Sequence, residues 1–247
     1  MDVRWVSAFL DVPPDRVDVA AAFWAAVTGT RVGSPQGSHR EFLPFEAVAD
    51  EASLWLQRTQ SGGPACHVDL YVEDVAAAVE PATALGASQV GVLHDLGVVV
   101  MSSPGGLPFC LVPHRGQSVR MTPVGEEGAR SVPDQVCLDI PPSRYDAECD
   151  FWAALTGWSP TDEDPADEFR RLTRPPAIPY AFLLQRLDDE QDAVSAHLDL
   201  ACEDRDAETR RHVALGATQA ERTEGWTVMR DPAGLTYCNT GRRPGAV

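Results

Sequence analysis

Two short stretches carry an imidazole and a carboxylate at a spacing suited to chemistry: His67-Val68-Asp69 and His197-Leu198-Asp199. On a β-strand, residues i and i+2 share a face, so each histidine meets its aspartate on the same side of a sheet. A carboxylate so placed fixes the imidazole tautomer and raises its basicity. The same pairs could equally be polar braces between strands. His67, Asp69, His197 and Asp199 are therefore the catalytic candidates, with the brace as the competing reading.

Each pair is followed by a cysteine in a strand-like run, Cys110 and Cys238. A thiolate can join an imidazole on a metal, although a cysteine is more often a small buried apolar residue. His39, His94, His114 and His212 are read as lying in loops or on an exposed helix face and receive no role.

These residues recur because the chain repeats itself. Leu10-Asp11-Val12-Pro13-Pro14 returns as Leu138-Asp139-Ile140-Pro141-Pro142. Phe23-Trp24 and Thr28-Gly29 return as Phe151-Trp152 and Thr156-Gly157, and Leu85-Gly86-Ala87 as Leu215-Gly216-Ala217. Pro104, Gly106, Leu107 and Cys110 return as Pro232, Gly234, Leu235 and Cys238. A period of about 128 residues is a domain, well beyond the roughly 20–50 residues of a solenoid unit. Domains are expected at 1–114 and 132–247, with the polar, Gly-containing residues 115–131 as linker.

Within each copy the pattern strand, helix, three strands runs twice, giving βαβββ units at about 5–58, 66–113, 133–187 and 196–240. The first helix is expected over 15–27, with Val19, Ala22, Phe23, Ala26 and Val27 on its buried face and Gly29 ending it. Phe23-Trp24 and Phe151-Trp152 read as core.

Composition narrows the chemistry. All twenty basic residues are Arg, so neither Schiff-base lysine nor phosphate-loop lysine chemistry exists here. The bias towards Ala, Val, Pro, Gly and Arg reads as GC-rich bacterial coding. A net charge of −17 argues against nucleic acid and anionic membranes as partners. Six cysteines without CxxC spacing, no secretory leader after Met1 and no long apolar run point to a reduced, cytoplasmic protein. Pairing of two copies into a homodimer is left open.

The opening Leu-Asp-x-Pro-Pro, the Phe-Trp…Thr-Gly helix end, the His-x-Asp-Leu strand, Leu-Gly-Ala and the closing Asp231-Pro232-x-Gly234…Tyr237-Cys238 together resemble the glyoxalase/bleomycin resistance protein/extradiol dioxygenase (vicinal oxygen chelate) superfamily, in its glyoxalase-like branch. The resemblance implies an α+β fold: two tandem domains, each of two βαβββ modules forming a cupped mixed β-sheet with helices outside. It also implies a cavity over each sheet, with metal ligands on the first and last strands of each half. Alternation then places Ser7, Phe9, Asp11, Trp55, Gln57, Tyr71 and Cys110 towards the first cavity, and Gln135, Asp139, Gln185 and Thr236 towards the second, as ligand-binding residues.

The carboxylates that metal-dependent relatives carry are missing at these positions, and each cavity has one histidine where a ring-cleaving iron site needs two, so no metal cofactor is the first expectation. The alternative is one divalent ion (Zn, Ni, Mn or Fe) in the second domain, where the resemblance makes Gln135, His197 and Cys238 the better metal set. The expected function is therefore binding of a small organic molecule. The alternative is a metal-dependent lyase, isomerase or dioxygenase using a degenerate site in the second domain. The acidic run Asp162-Glu163-Asp164 with Asp167-Glu168 reads as a solvated loop that would also favour a cationic ligand.

Overall fold

The computed structural model describes residues 1–47, 52–60, 62–161 and 168–245. Four βαβββ modules follow one another along the chain. The first runs β1 (Trp5–Val12), α1 (Val17–Thr28), β2 (Arg31–Val32), β3 (Phe42–Glu46) and β4 (Leu54–Arg58). The second runs β5 (Ala65–Val72), α2 (Val75–Ala84), β6 (Ser88–Leu93), β7 (Val98–Ser102) and β8 (Pro108–Pro113). The third runs β9 (Ser131–Ile140), α3 (Tyr145–Thr156), β10 (Ser159–Thr161), β11 (Phe169–Thr173) and β12 (Ala181–Arg186). The last runs β13 (Ser195–Cys202), α4 (Arg205–Ala214), β14 (Thr218–Arg222), β15 (Trp226–Arg230) and β16 (Thr236–Thr240).

The strands form two eight-stranded mixed sheets, ordered β2-β3-β4-β1-β5-β8-β7-β6 and β10-β11-β12-β9-β13-β16-β15-β14. The α+β tandem architecture expected from the repeat is what the chain adopts. In three of the modules the first strand's crossover returns it parallel to the last: β1 pairs β4, β5 pairs β8 and β13 pairs β16 in parallel. The remaining pairs described are antiparallel hairpins, whose short connections allow it. The short strands β2 and β10 carry no alternation long enough to read from sequence. Ser131, the last residue of the expected linker, opens β9.

Helix ends follow local chemistry. Asp74 and Asp204 cap α2 and α4 by accepting backbone N–H groups, as short carboxylates do at an N-cap. Gly29 and Gly157 end α1 and α3 in the left-handed conformation, at φ 61° and 71°, where a side chain would be strained.

The chain divides into two compact units, each taking a module from each sequence copy: Met1–Ser7 with His67–Ser118 and Val136–Ala196, and Ala8–Cys66 with Val119–Gln135 and His197–Val247. In the first, Trp152 meets Phe109, Phe151 and Phe182 edge-on, and Phe109 and Phe151 meet at a tilt. The same unit holds a buried acid, Glu148, which accepts from Ser103 Oγ and from Gly105 N at 3.1 Å. Burial raises its pKa above the usual carboxylate range, and those hydrogen bonds offset this in part.

In the second unit Phe23, Trp24, Tyr237 and His212 form the corresponding cluster. Here the buried face of α1 differs from the expected one: Ala20, Ala21, Phe23, Trp24, Val27 and Thr28 are buried, while Val19, Ala22 and Ala26 are exposed. Alanines suit either face, so they did not fix the rotation. The adjacent bulky pair Phe23-Trp24 does, with Trp24 Nε1 donating to Asp231 Oδ2 at 2.9 Å.

Candidate functional site

Strand β5 brings His67, Asp69 and Tyr71 onto one face, as period-2 alternation requires. Parallel pairing with β8 sets Asp69 opposite Cys110 and Tyr71 opposite Val112. The result is a buried cluster in which one donor atom each of His67, Asp69 and Cys110 lies within 4.8 Å of the others. His67 Nε2 stands 3.8 Å from Asp69 Oδ1. Beside them, buried Ser7 donates from Oγ to Tyr71 Oη at 3.3 Å. Burial, added to by the Asp69 charge, holds the Tyr71 phenol well above its ordinary range, so it acts as a neutral hydroxyl.

The repeat builds a second constellation on β13, β16 and the start of β9. Asp199 stands opposite Cys238, His197 Nε2 is 3.3 Å from Asp199 Oδ1, and Cys238 Sγ is 3.5 Å from the same nitrogen. Gln135, in the position of Ser7, donates from Nε2 to Asp199 Oδ2 at 2.5 Å. Its Oε1 is buried without a hydrogen-bond partner among the described residues. The metal candidates Gln135, His197 and Cys238 thus all belong to one network, with Asp199 at its centre.

The other ligand-binding candidates sit on the expected strands. Phe9 stacks on half-buried Trp55, with centroids 5.8 Å apart and planes at 11°, and meets Phe42 edge-on. Asp11 and Gln57 are register partners on β1 and β4, both half-buried. Gln185 Oε1 lies 3.5 Å from Cys137 Sγ, which is 4.0 Å from Asp139 Oδ1. Thr236 is exposed at the start of β16, two residues before Cys238. Asp162 to Asp167, most of the acidic run, lie outside the described residues.

One expectation is corrected. His212 is neither in a loop nor on an exposed helix face: it is fully buried on α4. Its Nδ1 is 2.9 Å from Tyr237 Oη and its Nε2 is 3.0 Å from Glu208 Oε1. Glu208 also accepts from Ser131 Oγ at 2.7 Å and from the Arg211 guanidinium. Burial would raise the Glu208 pKa, but the hydrogen bonds from His212, Arg211 and Ser131 outweigh it and hold the carboxyl at about 2. Burial lowers the His212 pKa, so a neutral imidazole accepts from Tyr237 and donates to ionised Glu208. The apolar stripe that would have revealed the buried face is absent from α4, since Glu208, Thr209 and His212 form it.

The first cluster brings together donors that could hold a cation. Nitrogen, oxygen and sulfur donors converge from two adjacent strands, all buried. The donor set fits a divalent metal that accepts imidazole and thiolate. His67, Asp69 and Cys110 would hold such an ion, which would supply a Lewis acid for an oxygen-bearing ligand. All six cysteines are buried.

Residues 7–112 and again 135–240 match the family model of the glyoxalase-like domain. The chain belongs to that family. Solved structures agree on the fold. A Mn(II)-bound glyoxalase from Novosphingobium aromaticivorans superposes with a TM-score of 0.64 at 18% identity, covering 95% of this chain and 80% of that one. A homoprotocatechuate 2,3-dioxygenase variant from B. fuscum gives 0.65 at 14%, over 96% and 70%. A halotolerant catechol dioxygenase gives 0.61 at 13%, over 97% and 87%. No curated protein matches. The glyoxalase-like fold is therefore shared with vicinal oxygen chelate enzymes, and the site residues must speak for the function.

Proposed function

We propose that this glyoxalase-like protein binds a small organic molecule at the polar face of its β5 and β8 strands, in domains spanning 1–114 and 132–247 joined by 115–131. The observation that carries the reading is the pair of His–Asp–Cys constellations. Each offers a single imidazole, and a cysteine stands where the resemblance calls for the last-strand carboxylate. That carboxylate would be the oxygen ligand and the proton-moving base; its replacement by Cys110 and Cys238 favours recognition over isomerase turnover. His67, Asp69, Tyr71 and Ser7 supply hydrogen-bonding groups at the first site. Separately, the Phe9–Trp55 stack offers a flat surface for a planar group, and the charge of −17 favours a cationic ligand.

A second reading rests on Gln135. Its buried, unpartnered Oε1, on a residue tied through Asp199 to His197 and Cys238, suits a metal-dependent lyase, isomerase or dioxygenase in the second domain.

Isothermal titration with bleomycin, a cationic ligand bearing planar rings, and with catechol separates these readings. The proposal predicts saturable binding of bleomycin, weakened at least tenfold by His67→Ala, and both probes recovered intact. Oxygen uptake with catechol, abolished by His197→Ala, would establish the second reading instead. Absence of heat with bleomycin would refute the first.

A further inference from the structure

The geometry points to a thiophilic cation of the Zn²⁺ class, rather than Mn²⁺ or Mg²⁺, as the metal taken by His67, Asp69 and Cys110. This rests on reading that cluster as a ligand-taking site and adds which ion it selects.

The donors decide the class. Hard cations such as Mn²⁺ and Mg²⁺ prefer carboxylate, carbonyl and water oxygens, whereas thiolate with imidazole selects softer ions. This cluster offers one sulfur, one nitrogen and one carboxylate, and Cys110 is the donor that a hard-ion site would not use. Spacing agrees. A tetrahedral ion with bonds of about 2.0–2.3 Å holds its ligand atoms roughly 3.3–3.7 Å apart, and His67 Nε2 to Asp69 Oδ1 is 3.8 Å. All three donors already lie within 4.8 Å of one another, so modest side-chain adjustment closes the set.

The backbone holds them there. His67 and Asp69 are i and i+2 on β5, and Cys110 is the register partner of Asp69 on β8, which is hydrogen-bonded on its other side to β7. Three protein ligands leave the fourth tetrahedral position open, the pattern of sites that take an exogenous ligand.

The second constellation brings together the same donor types, since one atom each of Cys137, His197 and Asp199 also lies within 4.8 Å of the others, but its hydrogen bonds are arranged differently. The Gln135 amide donates to Asp199 Oδ2 at 2.5 Å, while Asp199 Oδ1 and Cys238 Sγ both approach His197 Nε2. There a metal must first displace an assembled hydrogen-bond network. In the first cluster Ser7 takes the place of Gln135, and its hydroxyl is committed to Tyr71.

Co²⁺ is the probe, because cobalt bound to thiolate absorbs by charge transfer in the near ultraviolet while cobalt bound to oxygen and nitrogen does not. The full-length protein titrated with Co²⁺ should develop that band to one equivalent and lose it on addition of Zn²⁺. Cys110→Ser should abolish the band and weaken Zn²⁺ by more than the roughly 10–100-fold lost when an outer partner of a metal site is removed. Cys137→Ser and Cys238→Ser should each leave the band in place. His67→Gln serves as a second variant, with far-ultraviolet circular dichroism confirming the fold of each. Mn²⁺, followed by its electron paramagnetic resonance signal, should stay free at concentrations where Zn²⁺ saturates.

A band that survives Cys110→Ser and disappears in Cys137→Ser or Cys238→Ser would overturn the assignment of the site. Mn²⁺ binding as tightly as Zn²⁺ would overturn the selection while leaving a chelating cluster. Binding of neither ion would overturn this inference but leave the bleomycin titration as the separate test of small-molecule binding.

Discussion

Replacing Glu208 by Gln should destabilise the protein at neutral pH by an amount that disappears in acid. The native carboxylate accepts from Ser131, Arg211 and His212 while its side chain is 2% exposed. These bonds lower its pKa from 4.5 to about 2. At about 1.4 kcal/mol for each tenfold change in proton affinity, that is about 3 kcal/mol. The folded state binds the proton less tightly than the unfolded state. The stabilisation is therefore complete above the unfolded value near 4.5 and is lost as pH falls towards about 2. Gln keeps the shape and one acceptor but cannot be ionised. Urea unfolding of both proteins, followed by tryptophan fluorescence at pH 7, 5, 4 and 3, should show a gap of about 3 kcal/mol at pH 7 and 5 that narrows below pH 4.5. A gap that is the same at every pH would refute the claim that the ionised carboxylate is what the network holds.

Other expectations follow from differences between the repeats. Glu148→Gln should do the opposite of Glu208→Gln: burial raises this pKa, so the native carboxyl gains stability as pH falls into its folded range, and the variant should match or exceed wild type at pH 8 in the same unfolding assay. Trp24→Phe removes a 2.9 Å bond to buried Asp231 and should cost roughly 1.5–3 kcal/mol. Trp152→Phe, whose Nε1 has no hydrogen-bond partner, should cost less than half as much by thermal unfolding. Gly29→Ala combines φ 61° with a Cβ placed 2.9 Å from the Val124 side chain, whereas at Gly157 the nearest atom is 4.0 Å away. The first should lose more than the roughly 1–2 kcal/mol of left-handed strain, and the second about that amount.

The fold was legible because the sequence states it twice. Repeated Phe-Trp and Thr-Gly pairs located the helices, and His-x-Asp with its later cysteine located β5 with β8 and β13 with β16. The pairing of Asp69 with Cys110 and of Asp199 with Cys238 follows from those strands being parallel neighbours. What stayed hidden depended on contacts between distant segments. Nothing local tells that Gln135 reaches Asp199, or that Ser131 and Glu208 join His212 and Tyr237 in a buried polar set. Helix α4 reads as exposed because hydrophobic periodicity detects apolar faces, and this face is buried through hydrogen bonds. The rotation of α1 was missed for a related reason, since alanine carries too little apolar area to choose a side.

The most direct test of whether His67, Asp69 and Cys110 form a ligand-taking site rather than a structural brace is thermal unfolding with and without Zn²⁺. An ion at a hundred times its dissociation constant stabilises the folded state by about 2.7 kcal/mol. Wild-type protein should therefore melt several degrees higher with saturating Zn²⁺, while His67→Ala melts close to the metal-free wild type and does not respond. A His67→Ala variant that loses several kcal/mol of stability, in a protein whose melting Zn²⁺ leaves unchanged, would contradict the account and make the pair a brace.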